Sequence, residues 1–349
     1  MSPKFRRINL SEAAQRLKLC SMNIYPSKYD DLYQSHPLTL IDVGASGGIS
    51  SLWTPHRRYL RIIGFEPDPR AFEALRSQQD HLIRFFNIGL HRQKGDISFY
   101  LTRRQQCSSC FVPNRPLLDR FNNPKRLDII EENKISCTSL DEVLSEAALT
   151  DVDFIKLDTQ GTELAILEGS ASVLAGAVFG LEIEVAFAEL YNGQPLFADV
   201  DSFVRQKGFD LIDLCAVSWK HSIGRSLGYA KGQVMWADAL YFRQPKMMHE
   251  ILKDMDDTLA LSKLLRALSV CQLYGFFDYA MELLDIVASD MLSKDDLSYL
   301  QNHLNDQTPI ISRIPNFPGR KWLARLLIQM SKWIAPKSHK YKQPPLGNL

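Results

Sequence analysis

Asp42 sits in an apolar run, Leu40-Ile41-Asp42-Val43, that passes directly into the glycine turn Gly44-Ala45-Ser46-Gly47-Gly48. A second apolar run, Ile62-Ile63-Gly64-Phe65, ends in Glu66 and then Pro67-Asp68-Pro69. An apolar strand leading into a glycine turn, with an acid closing the next strand, predicts a nucleotide-type cofactor site. Such sites lie at the first strand-to-helix crossing of a parallel sheet. Glycine has no Cβ, so backbone at the turn can approach a ligand closely. The Glu66 carboxylate can accept both hydroxyls of a ribose, at roughly 1.5–3 kcal/mol for each hydrogen bond to a charged acceptor.

More carboxylates follow downstream. Asp158 ends the run Phe154-Ile155-Lys156-Leu157, and Glu182 and Glu184 alternate within Leu181-Glu182-Ile183-Glu184-Val185. If both runs are central parallel strands, Asp158 and Glu184 stand at the tops of neighbouring strands, where open sheets bind ligands. Either could be a general base for a weakly nucleophilic hydroxyl, a contribution of roughly 10²–10⁴-fold. The two could also share a divalent cation through oxygen ligands. Glu182 and Glu184 face the same side of their strand, and a buried carboxylate needs a partner. Lys156 and Arg205 are the cations the pattern offers. Each assignment has a structural alternative. Asp42 could cap its turn, Asp158 could be the N-cap of a helix over 161–174, and Asp238 could cap a strand. His56 and His221 are lone histidines. Trp219-Lys220-His221 is expected in a loop over the mouth of the site.

The elements that must hold these groups follow from hydrophobic periodicity. Short apolar strands are expected at 39–43, 61–65, 84–88, 96–101, 153–157, 181–187, 209–214 and 238–243. Amphipathic helices are expected near 50–58, 69–78, 139–147, 161–174 and 197–207. The alternation means an α/β fold with a doubly wound, mostly parallel Rossmann-like sheet. The segment 95–137 breaks strict alternation and reads as a β-hairpin with a polar loop bearing Pro113, Pro116, Asn122, Asn123 and Pro124. From Met247 apolar residues recur at helical spacing around the turn Gly275-Phe276-Phe277-Asp278. A single such hairpin cannot form a solenoid, so a C-terminal helical appendage docked on the sheet is expected. The chain is thus divided into a helical lead-in (1–36), a sheet domain (37–245), a helical hairpin (246–310) and a basic amphipathic tail (311–349). Ser11 reads as the N-cap of a helix in the lead-in.

Composition bounds the function. The 349 residues are 45% hydrophobic and 23% charged, an ordinary globular mix, and the net charge of +1 gives no global field for nucleic acid. Six cysteines are too few for a disulfide scaffold, which favours reduced thiols in a cytoplasmic protein. Cys107-Ser-Ser-Cys110 lacks a second pair at zinc-ligand spacing. Lys4, Arg6 and Arg7 precede no apolar signal region, and no uncharged apolar stretch reaches the ~18 residues of a membrane span. No acidic side chain follows Asp306, whereas Trp322, Leu323, Leu326, Leu327, Met330, Trp333 and Ile334 gather on one face of a basic helix over 320–335. Such a helix suits the anionic inner face of a membrane; the alternative is packing on the helical appendage.

The pieces occur in a telling order: Asp42-Val43-Gly44-Ala45-Ser46-Gly47-Gly48, Gly64-Phe65-Glu66-Pro67, then Phe154-Ile155-Lys156-Leu157-Asp158-Thr159-Gln160-Gly161-Thr162-Glu163 running into Leu164-Ala165-Ile166-Leu167-Glu168-Gly169, and Leu181-Glu182-Ile183-Glu184-Val185. Together with Ser139-Leu140-Asp141-Glu142 and Trp236-Ala237-Asp238, they resemble the FkbM family of S-adenosylmethionine-dependent methyltransferases, over roughly 38–243. The resemblance implies a class I methyltransferase fold and methylation of a hydroxyl, often on a sugar or polyketide. It implies that Gly44, Ala45 and Gly47 form the loop under the methionine part of the cofactor, with Asp42 orienting that loop or reaching the ammonium through water. Glu66 would bind the ribose, Asn87 and Ile88 would contact the adenine, and Asp158 would stand beside the sulfonium and the acceptor. Many members carry an acid at the position of Gln160, which puts a metal or base role there in doubt. The acceptor implied is a small molecule, glycan or glycolipid precursor. Two other readings stay open: a non-catalytic scaffold that keeps the fold, and a nicotinamide-dependent oxidoreductase. The second is disfavoured because the turn lacks the glycine spacing of G-x-G-x-x-G.

Overall fold

The computed structural model describes residues 24–223, 232–308, 317–334, 340–343 and 346. The helix expected from Ser11 lies outside them. Among the described residues eleven strands form two sheets. They are β1 (Leu38–Val43), β2 (Leu60–Phe65), β3 (Ile83–Phe86), β4 (Gly89–Leu90), β5 (Gly95–Thr102), β6 (Ile129–Thr138), β7 (Phe154–Leu157), β8 (Gly180–Ala186), β9 (Phe209–Trp219), β10 (Gln233–Arg243) and β11 (Lys340–Lys342). The main sheet runs β11-β9-β10-β8-β7-β1-β2-β3. From β3 to β8 every neighbouring pair is parallel, while β10 is antiparallel to both β8 and β9. This is the doubly wound, mostly parallel Rossmann-like sheet that the alternation predicts.

The site is set by the winding. The chain steps outward from β1 to β2 and β3, then returns to β7 and β8 on the other side of β1. The loops leaving β1 and β7 therefore diverge at a switch point, the crevice where open sheets bind ligands. All six residues of β1 are buried, as expected for a central strand covered on both faces.

Two helical expectations change form. The segment expected as a helix over 50–58 is a 3₁₀ helix, Ser51–Tyr59, with Pro55 inside it; proline cannot donate the backbone bond that an α-helix needs there. The helix expected over 161–174 is two short ones, Glu163–Glu168 and Ala171–Ala175. They part at Gly169, where a Cβ would lie 2.4 Å from the His91 carbonyl oxygen, so the break accommodates a backbone crossing.

The hairpin expected within 95–137 is β5 and β6, antiparallel, with β4 alongside β6. Between them the excursion 103–128 folds back over the carboxyl end of the main sheet. Isolated bridges pin it there, joining Pro113 to Tyr191 and Phe121 to His221.

The C-terminal helices dock on the sheet. Asp257–Tyr274 is buried along almost its whole length and ends at Gly275 in the left-handed conformation, φ +75°. The Tyr274 ring stacks on Phe154 of β7 with centroids 5.8 Å apart, and its hydroxyl donates to Glu182 Oε2 at 2.7 Å. Lys263 and Arg266 of the same helix pair with the half-buried Asp151 and the buried Asp153 below β7, at 2.7–3.2 Å. Arg320–Ile334 is helical, with Trp322, Leu323, Leu326, Leu327 and Met330 exposed. The edge strand β11, paired antiparallel with β9, is absent from the sequence expectations. Among the described residues no helix is long and apolar enough to cross a membrane.

Candidate active site

The first wall of the crevice is backbone. Gly44 leaves β1 with φ +82°, and a Cβ there would lie 1.9 Å from the Asp158 carbonyl oxygen. Asp158 N in turn donates to the Val43 carbonyl at 3.0 Å. Only glycine lets the turn after β1 and the loop after β7 lie this close. Between them opens a cleft of about 390 Å³, whose lining includes Gly44, Ala45, Gly47, Glu66, Ile88 and Asp158.

Glu66 follows β2 and is buried. Its Oε1 accepts from Asp68 N at 2.8 Å; Oε2 has no protein partner among the described residues. Burial pushes its pKa up to about 7, with the Asp68 N–H opposing and the charges of Asp68, Asp42 and Asp158 adding to the rise. The carboxylate is thus held by backbone on one side and presents its other oxygen to the cleft. The two features, a turn that a Cβ would block and a carboxylate with an uncommitted oxygen, fit a ribose-bearing cofactor.

Asp42 and Asn87 stand behind the cleft lining rather than in it. Asp42 does not line the cleft: it is buried beneath the turn and pairs with Lys156 Nζ at 3.4 Å. Burial works against the Lys156 charge, but Asp42, Asp158, Glu182 and Asp238 together hold it protonated. The Asn87 amide is committed to the carbonyls of Glu66 and Pro67, at 2.8 and 3.2 Å. It shapes the strand end behind Glu66, while Ile88 faces the cleft.

The same cleft is lined by Asp158, just after β7, and Glu184 of the neighbouring strand β8, as expected. They do not stand alone. The Gln160 side-chain Nε2 donates to Asp158 Oδ1 at 3.0 Å and to Glu184 Oε1 at 2.7 Å. Its Oε1 accepts from the Tyr191 hydroxyl at 3.0 Å, a proton shared with the Cys107 carbonyl at 2.9 Å. The amide has one sensible orientation, because two carboxylates need donors and a hydroxyl can donate to its oxygen. The place between the two carboxylates, where a shared cation was one option, therefore holds an amide donor. That arrangement does not fit a metal bridging Asp158 and Glu184. Burial raises the Glu184 pKa well above the usual carboxylate range, and the charges of Asp158, Asp238 and Glu163 add to it.

Gln160 reaches this position through an unusual backbone. Its φ is +60°, a left-handed conformation that few residues other than glycine adopt. The Ser109 hydroxyl secures it by donating to the Gln160 carbonyl at 2.7 Å. Glu163 folds back on the same loop, accepting from Thr159 N at 2.8 Å, Thr159 Oγ1 at 3.0 Å and Gly161 N at 2.9 Å. Burial pushes Glu163 to about 7, opposed by its own backbone N–H and by the Thr159 N–H and hydroxyl.

The alternatives offered by the sequence resolve differently. Asp158 does not cap a helix; the N-cap of Glu163–Glu168 is Thr162. Arg205 pairs with Asp201 at 2.8 Å rather than with Glu182 or Glu184. His56 is buried against the Tyr25 hydroxyl, away from the cleft. The excursion 103–128 supplies the roof through Arg104, Gln105, Cys107 and Arg126, and Trp219 joins it at the end of β9. Cys110 is half-buried, and desolvation pushes its thiol up to about 12. Among the described residues no group of three or more His, Cys, Asp or Glu side chains is placed to hold a metal ion. Tyr191 belongs to no local sequence pattern, and the sequence places Ser109 only in a loop over the cofactor; the fold brings both to Gln160.

Residues 42–211 match the methyltransferase FkbM domain. The 2-O-methyltransferase NoeI of Sinorhizobium fredii is 28% identical over 182 residues, covering 46% of this chain and 69% of that protein. An FkbM methyltransferase from Methylobacillus flagellatus overlays with a TM-score of 0.34 at 18% identity, over 59% of this chain and 44% of its own. The overlay thus spans less than half of that protein. A precorrin-6y C5,15-methyltransferase from Geobacter metallireducens gives 0.33 at 12% identity, over 70% of this chain and 93% of its own. The likeness rests on the sequence match and on the residues within it: residues 42–211, just under half of this chain, resemble the FkbM methyltransferases.

Proposed function

We propose that the protein transfers a methyl group from S-adenosylmethionine to a hydroxyl oxygen of a saccharide. One observation carries the reading: the cofactor cradle of Gly44 and Glu66 and the carboxylate pair Asp158 and Glu184 line a single cleft. The cofactor brings a methyl group already activated on a sulfonium. What the protein must add is alignment, which can lower the barrier by ~7–11 kcal/mol, and a place for the hydroxyl proton.

The two carboxylates divide that work. Burial and neighbouring charge disfavour the ionised form of Glu184. Asp158 is then the general base that accepts the acceptor's proton, and Glu184 orients it through the shared Gln160 amide. Environments that push paired acids apart commonly mark such a division. Gly44, Ala45 and Gly47 cradle the methionine part, Glu66 binds the ribose hydroxyls, and Ile88 packs against the adenine.

An oxygen acceptor is supported by the 2-O specificity in the name of the NoeI relative. A saccharide is supported by the mixture of polar groups and aromatic faces, Tyr191, Trp219 and Trp236, around the carboxylates. A lipid-linked saccharide is supported by the exposed apolar residues and the basic charge of the helix Arg320–Ile334.

The test is calorimetric titration of S-adenosylmethionine, and of its demethylated product S-adenosylhomocysteine, into wild-type protein and Glu66→Ala. Micromolar binding that weakens at least about tenfold in the variant, the loss of ~1.4 kcal/mol, supports the cofactor and the ribose contact. No binding by folded wild-type protein would defeat the reading and favour the scaffold.

A further inference from the structure

Arg104 and Arg126 lie together in the lining of the cleft, at the foot of the 103–128 excursion. Arg104 N donates to the Arg126 carbonyl at 2.9 Å, which sets the two residues side by side. Neither guanidinium has a carboxylate within ion-pair distance among the described residues. The neighbouring arginines are different. Arg103 pairs with Asp128 at 3.6 Å, and Arg115 pairs with Asp119 and Asp128 at 2.8 and 3.2 Å. Arg104 Nε has only the Gln106 side chain, at 3.4 Å.

Arg126 is the more constrained. Its guanidinium lies over the Trp219 ring, 4.4 Å from the centroid. Its Nε is buried without a hydrogen-bond partner, and so is the Trp219 indole Nε1. Burial lowers the Arg126 pKa, and the nearby Arg104 charge lowers it further. Two adjacent cations that lack a counter-ion, with Arg126 partly desolvated, are costly unless an anion joins them. Planar guanidinium forks match phosphate oxygens in paired hydrogen bonds, and two of them match the two charges of a phosphate monoester.

We propose that Arg104 and Arg126 form an anion subsite for the acceptor, and that the acceptor is a saccharide bearing a phosphate ester. This deepens the methyl-transfer reading and rests on it: the phosphate is held by the arginine pair while the hydroxyl is presented to Asp158. Trp219 supports the arginine from beneath and leaves its outer face to the ligand.

The test is titration of the full chain, with and without saturating S-adenosylhomocysteine, using glucose 1-phosphate, methyl glucoside and glucuronate. Glucose 1-phosphate should bind at least about tenfold more tightly than either other sugar, and the preference should shrink as salt is raised. Arg104→Ala and Arg126→Gln should each erase most of that preference, while S-adenosylhomocysteine affinity stays within about twofold. Arg104 is exposed, so its variant separates the contact from folding; Arg126→Lys should restore part of the affinity. UDP-glucose and short-chain monomeric phosphatidylinositol distinguish a nucleotide-linked source of the phosphate from a lipid-linked one.

Equal affinity for the three sugars, or variants that bind glucose 1-phosphate like wild type, would overturn the subsite. Equal or tighter binding of glucuronate would overturn the phosphate assignment. A loss confined to S-adenosylhomocysteine would instead give the pair to the cofactor's carboxylate. The titrations without S-adenosylhomocysteine read the subsite even where the cofactor does not bind, so the two readings fail separately.

Discussion

The Gln160 amide stands 2.7 Å from Glu184 Oε1 and is itself held by a left-handed backbone. One side chain thereby joins both carboxylates of the site to Tyr191. Gln160→Ala removes all three contacts at once. Leaving buried polar groups unsatisfied costs about 1–3 kcal/mol each, and alanine still carries the Cβ that the left-handed conformation disfavours. We expect a lowered urea midpoint, a fall in methyl transfer of about 10²-fold as the base loses its orientation, and S-adenosylhomocysteine affinity near wild type. Transfer at the wild-type rate would remove Gln160 from the site's working parts.

Glu66 makes cofactor affinity depend on pH. Its carboxylate accepts the ribose hydroxyls only fully when ionised, and burial has raised its pKa to about 7. Between pH 8 and pH 6 the ionised fraction falls about tenfold. S-adenosylhomocysteine should therefore bind about tenfold more weakly at pH 6 than at pH 8, with a proton released on binding in the lower range. Glu66→Gln should bind weakly and with a flatter profile across that window. For stability the sign is opposite. A raised carboxylate pKa means that Glu66 favours the folded state below about pH 4.5 and that this support is lost as the pH climbs through about 7. An equally steep affinity profile in the variant would assign the dependence to another group.

Gly44 and Gly47 separate conformation from composition in the turn. An alanine Cβ at Gly44 would overlap the Asp158 carbonyl oxygen, and the φ of +82° is itself unfavourable for an L side chain. At Gly47 a Cβ would meet nothing within 4 Å. Gly44→Ala is expected to part the loops after β1 and β7 and to abolish S-adenosylhomocysteine binding at micromolar concentration. Gly47→Ala is expected to keep its melting temperature, and a loss of cofactor affinity there would then report contact with the ligand itself. Calorimetry and thermal melts of the two variants decide this.

What the sequence disclosed follows from the range of each interaction. The parallel order, the turn after β1 and the acid after β2 are written in runs of consecutive residues, since strand burial and turn conformation are local demands. The pairing of Asp158 with Glu184 followed once the strand order was assumed. Their linkage through Gln160 was hidden, because it depends on Ser109 and Tyr191 arriving from distant segments. The split of 161–174 was hidden for the same reason: Gly169 looks like any helix glycine until the His91 backbone crosses it. Asp42 carried an acidic residue's usual suggestion of ligand binding, yet its partner proved to be Lys156 on the adjacent strand.

The exposed face of Arg320–Ile334 gives the membrane proposal a specific form. Trp322 is 68% exposed and Leu327 57%. Lys321 and Arg325 are exposed on the same helix. A helix of this kind binds anionic lipid through apolar burial and charge together. Removing all of 311–349 would also strip β11 from the sheet edge, so substitution is the cleaner experiment. The triple variant of Trp322→Ser, Leu326→Ser and Leu327→Ser should no longer float with phosphatidylserine vesicles under conditions where wild type does, and wild-type flotation should weaken with salt. Equal flotation of the two proteins would end the proposal.

The helical appendage is expected to be part of the sheet's stability through one charge cluster. Lys263 Nζ lies 2.7 Å from Asp151 and 2.9 Å from Asp153, and it also donates to the Val152 carbonyl at 2.7 Å. Asp153 Oδ2 accepts from Thr39 N at 2.8 Å, which carries the link to the start of β1. Burial opposes the Asp151 charge, but Lys263 and Arg266 outweigh it and hold the carboxyl at about 2. Lys263→Met would leave two carboxylates sharing one arginine. Breaking a buried pair from one side typically costs 3–5 kcal/mol, so a loss of about that size is expected at pH 7. The acid limb should change as well. With a depressed folded pKa, Asp151 supports folding above its ordinary value near 3.8 and loses that support as the pH falls through about 2. In Lys263→Met that acid-dependent loss should shrink, because less stabilisation is left to titrate. Urea melts of both proteins between pH 2 and pH 7 test the link; parallel curves, offset or not, would show that Lys263 does not set the Asp151 charge.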